Sequence, residues 1–357
     1  MMTTTGPLDT DALRDRVQRV LDEFLARQSA ALATVSPDLA PLMATISELL
    51  AGGKRLRSAF CYWGWRGADR EDDERIVRVA AALEMFQAAA LLHDDVMDGS
   101  DTRRGRPAAH RRLAELHRGQ GWVGSSDAFG IAGAILAGDL CLSWSDEMFT
   151  GSGLPDAQLA RGRRVFDQMR TELMAGQYLD MFEQVQPTTT VARARHVIRY
   201  KSAQYTVEQP LLLGGSLADA SPDLLAGYRA FGLALGEAFQ LRDDVLGVFG
   251  DPGETGKPAG DDLREGKRTA LVAAVLDAAD ADQEATVRRL LGDPSLDSSG
   301  VTELQGLIVD TGALDRVESL ITSRLDEALE ALGKAPVAPA AADVLRELAV
   351  AATARVG

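Results

Sequence analysis

Cysteine and histidine are scarce: the 357-residue chain has two cysteines and four histidines. Cys61 and Cys141 are flanked by apolar residues, lie far apart and lack metal-type spacing. They read as reduced packing residues of a cytoplasmic protein, which excludes a disulfide framework or a zinc knuckle. His93, His110, His117 and His196 form no H-E-x-x-H pattern, and His93, beside acids on a helix, reads as a packing or supporting residue rather than a metal ligand. Positive charge is in deficit, with 38 Lys and Arg against 53 Asp and Glu and a formal net charge of −15. Nucleic acid and anionic membrane are therefore excluded as main partners, since both need clustered positive charge. Long apolar runs are missing too. Glu84 and Gln87 interrupt the best one, over 77–92, so no integral membrane segment of roughly 18 apolar residues is expected. Residues 1–10 lack the basic start and apolar run of a secretory leader and are expected to form a disordered tail.

Alternating strand patterns are also rare, and helical spacing dominates. Asp9, Thr10 and Asp11 offer N-caps for a helix carried by Leu13, Val17, Val20, Leu21, Phe24 and Leu25. The same period returns at Ile76, Val79, Ala80 and Leu83, and at Val165, Met169, Leu173 and Gly176. Ala-rich, helix-favouring stretches cover 127–150, 191–213, 222–247, 268–279, 302–331 and 342–354. The expected class is all-α, with about ten or more helices. No Pro/Ser-rich linker divides the middle. A single large helical domain is expected over 11–333, followed over 334–357 by a Pro/Ala-rich joint and a C-terminal helix.

The chemistry gathers at two helix ends. Asp94, Asp95 and Asp98 close a strongly apolar helix, with Asp94 and Asp98 one turn apart on one face. Acids there oppose the helix dipole and repel one another, a cost that a cation removes. Hard carboxylate oxygens with room for water and phosphate suit Mg²⁺; the bland alternative is a solvated acidic end. Asp243 and Asp244 repeat the device, with Gln240 one turn back and Asp261-Asp262 beyond a Gly-rich loop. Phe86-Gln87 and Phe239-Gln240 precede the two pairs alike, which suggests opposing walls of one pocket. Against the acidic background stand Gly52-Gly53-Lys54-Arg55-Leu56-Arg57, Arg103-Arg104, Lys201, Lys257 and Lys267, cations suited to phosphate. No EF-hand or P-loop pattern fits these segments.

Together, Gly52 to Arg57, Leu91-Leu92-His93-Asp94-Asp95-Val96-Met97-Asp98 with Arg103-Arg104-Gly105, Lys201-Ser202, and Phe239-Gln240-Leu241-Arg242-Asp243-Asp244 with Gly256-Lys257 resemble the trans-polyprenyl diphosphate synthases, in the family's order over roughly 50–270. The resemblance implies the isoprenoid synthase fold, a helical bundle around a central cavity. It also implies a homodimer and the condensation of isopentenyl diphosphate with an allylic diphosphate, the members closest in type being geranylgeranyl and farnesyl diphosphate synthases. By the same resemblance, Asp94 and Asp98 bind two Mg²⁺ ions and Asp243 a third, with Asp95, Asp244 and Asp261 supporting. Arg103, Lys201 and Lys257 contact the allylic diphosphate, with Lys267 assisting, while Lys54, Arg57, Gln87 and Arg104 bind isopentenyl diphosphate. Gln240, Ser202 and Thr206 would steady a carbocation.

Two departures stand out. The family's second cluster reads Asp-Asp-x-x-Asp, whereas Gly247 holds the last position here, with Asp251 or Asp261 expected to supply the missing charge. The family's Lys-Thr pair is Lys201-Ser202. For product length, the positions four and five before Asp94, often aromatic in short-chain members, are Ala90 and Ala89. The next bulky side chain, Phe86, lies about 12 Å below Asp94 at 1.5 Å per residue. Read as a floor rather than a core residue, Phe86 implies geranylgeranyl diphosphate. The competing functions are a farnesyl or longer-chain synthase, a class I terpene cyclase, which has no second diphosphate to hold, and a non-catalytic regulatory subunit, whose acids would be free to decay.

Overall fold

The computed structural model describes residues 12–186, 188–251, 259–293 and 295–354. The proposed tail, the N-cap candidates Asp9 to Asp11 and Lys257 lie outside the described residues. Within them the chain is helical, as expected, apart from a hairpin of two-residue strands, Thr102–Arg103 and Arg106–Pro107. The helices expected as one domain with an appendage are grouped in two compact units, Met1–Gly162 with Leu213–Asp219 and Arg163–Leu212 with Ala220–Gly357. No linker composition marks the divisions, because two of the three fall inside helices, Asp156–Gln184 and Gln209–Leu217, and the third in the short turn at Asp219.

The first unit is built on α1 (Leu13–Val35), α2 (Ala40–Leu50), α3 (Leu56–Arg66), α4 (Glu74–Met97), α5 (Ala109–Gly119) and α6 (Ser126–Thr150). Helix α4 packs against α1, α3 and α6. Its Ala-rich sequence permits this, since small side chains let neighbours approach on several faces, and residues from Ile76 to Phe86 are almost all buried. Asp73 caps its start by accepting from the Arg75 amide. Its end is a Schellman turn: Gly99 takes φ 67° and the Ser100 amide donates to the Asp95 carbonyl at 3.0 Å. By length and composition α4 and α6 are each able to cross a membrane, which corrects the expectation drawn from Glu84. That residue's charge is met by Arg55 inside the protein, a partner the apolar run itself does not reveal. The apolar surface of α4 is likewise mostly buried.

The second unit centres on α10 (Pro222–Phe249), which follows α7 (Asp156–Gln184), α8 (Val191–Ile198) and α9 (Gln209–Leu217) in the chain and against which Ala313–Lys334 and a π-helical segment, Arg199–Glu208, pack. The π turns fall where Gly176 brings α7 against the backbone: a β-carbon there would lie 2.4 Å from the Lys201 amide nitrogen. The helix expected over 302–331 is two helices, Ser298–Asp310 and Ala313–Lys334, broken at Gly312 with φ 68°. The C-terminal helix, Pro339–Thr353, packs on α10 and on Ala313–Lys334.

Candidate active site

In the first unit, Asp94, Asp95 and Asp98 occupy the last turn and C-cap of α4. They divide their roles by facing. Asp95 turns inward, 2 % exposed, and accepts from Arg103 Nε at 2.8 Å and from its terminal nitrogen as well. That nitrogen stands 3.5 Å from Asp94 Oδ2. Arg103 thus holds the buried charge of Asp95, while Asp94 and Asp98 share the half-exposed face with Gln87 and Ala90. Among the described residues no three His, Cys, Asp or Glu side chains are already gathered as a closed metal cage. Two carboxylates one turn apart fit the open coordination of Mg²⁺, whose shell is completed by water and phosphate oxygens. His93 turns toward α6, its Nε2 3.1 Å from the Ile135 carbonyl and 3.4 Å from Asp139 Oδ1.

The hairpin after α4 places the arginines. Arg104 and Gly105 adopt φ 54° and 72°, the two left-handed positions of a tight hairpin turn. For a residue with a β-carbon this costs about 1–2 kcal/mol. The strain is offset by contacts with the Gly52-Gly53 loop: Arg104 donates to the Leu49 and Gly52 carbonyls at 3.0 and 3.1 Å, and its guanidinium lies where a side chain on Gly53 would stand. The proton affinity of Arg104 is lowered, first by loss of solvent and then by the like charges of Arg55, Arg103 and Arg57, with Glu84 opposing. Cations crowded in this way favour an anion. A cleft of about 250 Å³ opens here, lined by Gly52, Gly53, Asp95, Arg103, Arg104, Arg106 and Arg112, with Glu48 bridged to the last two. Lys54 is exposed on the same loop, and Arg57 is half-buried. Arg55 turns inward instead, pairing with Glu84 at 3.1 Å and with Gln18 at 2.7 Å. Glu84 Oε1 in turn accepts from the Ser58 hydroxyl at 3.0 Å.

The second unit carries the other acidic end. Asp243 is half-buried and Asp244 is 5 % exposed, its Oδ1 accepting from Gln240 at 2.9 Å. Burial pushes the Asp244 carboxyl up to about 8; the Gln240 hydrogen bond opposes this, and the charges of Asp262, Asp243 and Asp180 add to it. Lys201 donates to Asp180 at 2.6 Å from the π segment. Lys267 reaches Glu265 at 2.6 Å and Asp262 at 3.4 Å. Ser202 is half-buried and Thr206 is buried. The carboxylate set against Gly247 is that of Asp262, where Asp251 or Asp261 was expected: a β-carbon on Gly247 would lie 2.0 Å from Asp262 Oδ2. In helix Asp261–Arg264 successive side chains point about 100° apart, and the second of the acidic pair is the one that meets α10 at Gly247.

Residues 40–308 match the model of the polyprenyl synthetase family. The chain belongs to the polyprenyl synthetase family. It is a polyprenyl diphosphate synthase, a prenyltransferase. It is similar to a geranylgeranyl pyrophosphate synthase from Corynebacterium glutamicum, solved in complex with isoprenyl diphosphate and magnesium. The two are 38% identical, with a TM-score of 0.93 over 96% of this chain and 99% of that one. It is also 31% identical to a geranylfarnesyl diphosphate synthase of Aeropyrum pernix over 85% of this chain and 91% of the relative. A geranylgeranyl diphosphate synthase of Mycobacterium tuberculosis is 32% identical over 81% and 77% respectively. Relatives of this polyprenyl synthetase therefore carry names that differ in product length.

Several of the residues that shape the site escaped sequence reasoning. Arg55 and Glu84 were readable only as charges near a motif and inside an apolar run. Asp180 stands at helical spacing after Gly176 and Gln177, a signal that points to a face but not to Lys201. Arg106 and Arg112 flank the turn at Gly105, whose glycine was the one local hint that the chain reverses there.

Proposed function

We propose that this polyprenyl diphosphate synthase uses Mg²⁺ to condense isopentenyl diphosphate with an allylic diphosphate, making geranylgeranyl diphosphate. The observation that carries the reading is the arginine-lined cleft beside the Asp94 end of α4, a cationic seat in addition to the acidic one. A terpene cyclase needs no such second anion site. Asp94, Asp98 and Asp243 would hold three Mg²⁺ ions. When bound, Mg²⁺ neutralises charge developing on the departing diphosphate.

The chain's own residues do the rest. Arg104, held by the Leu49 and Gly52 carbonyls, binds the diphosphate of isopentenyl diphosphate with Lys54, Arg57 and Gln87. Arg103, Lys201, Lys257 and Lys267 receive the allylic diphosphate, stabilising the charge that grows as the C–O bond ionises. Apolar residues keep water from the resulting cation, and the Gln240, Ser202 and Thr206 oxygens steady it. The double bond of isopentenyl diphosphate then attacks, and the departing diphosphate takes up the proton.

Product length rests on α4. Phe86 and Ala89 are each 2 % exposed and Ala90 is half-buried; a wall of alanines above a buried ring supports a floor at Phe86. Phe86→Ala then lengthens the product and Ala90→Phe shortens it to farnesyl diphosphate. The chain acts as a homodimer, a reading supported by the apolar face that α6 exposes at Phe129, Ile131, Ile135 and Leu136. The test is incubation with Mg²⁺, isopentenyl diphosphate and each allylic primer, with products identified by mass spectrometry. A main product of twenty carbons is expected. Arrest at fifteen carbons, or an unchanged product from Phe86→Ala, refutes the floor, and the absence of any condensation refutes the function.

A further inference from the structure

The joint and C-terminal helix over 334–357 have no part in the reaction proposed above. Within the second unit they run the length of α10. The Ala313–Lys334 helix begins near one end of α10, where Glu318 pairs with Arg242, and finishes near the other, where Ala335 lies against Gly227. Gly227 permits that second approach, since a β-carbon there would stand 2.3 Å from the Ala335 β-carbon. The chain then reverses and returns as the C-terminal helix, Pro339–Thr353, which buries Ala341, Leu345, Leu348, Ala349 and Ala352 at helical spacing. Its length suits the return. Gly227 and Arg242 are about 22 Å apart along α10 at 1.5 Å per residue, and the C-terminal helix, with 15 residues, covers the same span.

The end of that helix comes back to Arg242. Arg242 Nε donates to the Thr353 carbonyl at 3.1 Å, while its two terminal nitrogens donate to Glu318 Oε1 and Oε2 at 2.5 and 2.6 Å. One guanidinium on α10 thus holds two other helices with all three of its nitrogens. The Thr353 carbonyl is among those that a helix end leaves without a partner inside the helix, and a cation there also meets the negative end of the dipole. With Thr353 buried and the Arg242 side chain 16 % exposed, the tie is largely shielded from water.

We infer that the C-terminal helix is a strap on α10 and that Arg242 is its anchor, a positioning residue that fixes how α10 is turned about its axis. Arg242 and Gln240 lie about 200° apart around the helix, so a clamp on the Arg242 side sets the direction of the opposite side. The inference rests on the proposed function for its effect on turnover; its effect on the motion of α10 stands apart from that reading.

Full-length Arg242→Met, which keeps an apolar stem and loses every donor, tests the strap in two ways. In hydrogen exchange followed by mass spectrometry, the amides of 339–353 and those of the last turns of α10, 240–249, are both expected to exchange about 10- to 100-fold faster, as loss of hydrogen bonds to a charged group implies. In assays with isopentenyl diphosphate and an allylic primer, kcat is expected to fall about tenfold with both Michaelis constants within about twofold of wild type, because the reacting groups remain but stand out of line. Arg242→Lys, which keeps a charge and a donor, is expected to recover part of both losses. Leu348→Asp loosens the strap while leaving Arg242 in place, and is expected to give the same fall in kcat. Circular dichroism should show each variant helical. Faster exchange confined to 339–353 in Arg242→Met overturns the inference, as does wild-type kcat in a folded variant whose C-terminal helix exchanges fast. A rise in the Michaelis constants at unchanged kcat overturns it as well. A wild-type protein that forms no prenyl product refutes the proposed function, and the exchange measurement still decides the strap.

Discussion

The two acidic helix ends use similar letters under opposite electrostatics. At the end of α4 the buried acid, Asp95, is met by the fork of Arg103. At the end of α10 the buried acid, Asp244, is met by the neutral amide of Gln240 and lies among further carboxylates, so burial pushes it up to about 8. At the first end the buried acid is paired with a cation. At the second, burial and the neighbouring carboxylates raise the Asp244 carboxyl. The difference shows that a carboxylate pair in a sequence is not a fixed charge: its protonation follows from what the fold sets beside it.

The largest expected effect tests what the two ends share. Asp94→Ala and Asp243→Ala should each lower turnover at least about a hundredfold while leaving circular dichroism unchanged, because each removes a charge the metal-free protein finds repulsive. Full activity of either variant, or activity indifferent to EDTA, would break the comparison at its root. Next comes the pairing that distinguishes the first end. Arg103→Ala strands the buried charge of Asp95 and should cost about 3 kcal/mol in denaturant unfolding, whereas Gln240→Ala, which removes only a neutral partner, should cost about 1 kcal/mol. Equal losses would mean that the two buried acids are held alike.

A third measurement sharpens the contrast between the cleft and the acidic ends. Arg57→Ala should raise the Michaelis constant for isopentenyl diphosphate about tenfold with little change for the allylic substrate, and an equal rise for both would remove the cleft's separate role. The smallest effect is in pH. The folded pKa of Asp244, about 8, lies above its ordinary value of 3.8, so the folded protein holds this proton more tightly than the unfolded chain does. The contribution is fully present below about pH 4 and is lost as the pH rises through 8. Wild-type Tm should therefore carry a downward slope across that interval which Asp244→Asn lacks. Identical profiles would show that Asp244 is charged throughout.

Much of the site was legible because it is local. Asp94 and Asp98, Arg103 and Arg104, and Lys201 with Ser202 each sit in a short segment whose spacing states their chemistry, and the helices around them follow from apolar period and alanine content. The hairpin at Arg104-Gly105 was not legible as a strand pair, since two residues are too few to show alternation. The π turns at Lys201 were hidden as well, because they arise from the close approach of α7 at Gly176 and not from the segment's own propensity.

By itself, then, the sequence determined the helical class, the two acid-terminated helices, the loop of glycine and basic residues and the family they resemble. All of these depend on neighbours within a few turns of chain. The tertiary structure decided which charges are spent inside and which remain for substrate. Arg55 is consumed by Glu84, whereas Arg103, though paired with Asp95, stays partly exposed beside Asp94. Asp262, not Asp251 or Asp261, comes to rest on Gly247. The physical reason is that burial and pairing are set by groups far apart in sequence, and a carboxylate's or guanidinium's state depends on those groups more than on its own segment.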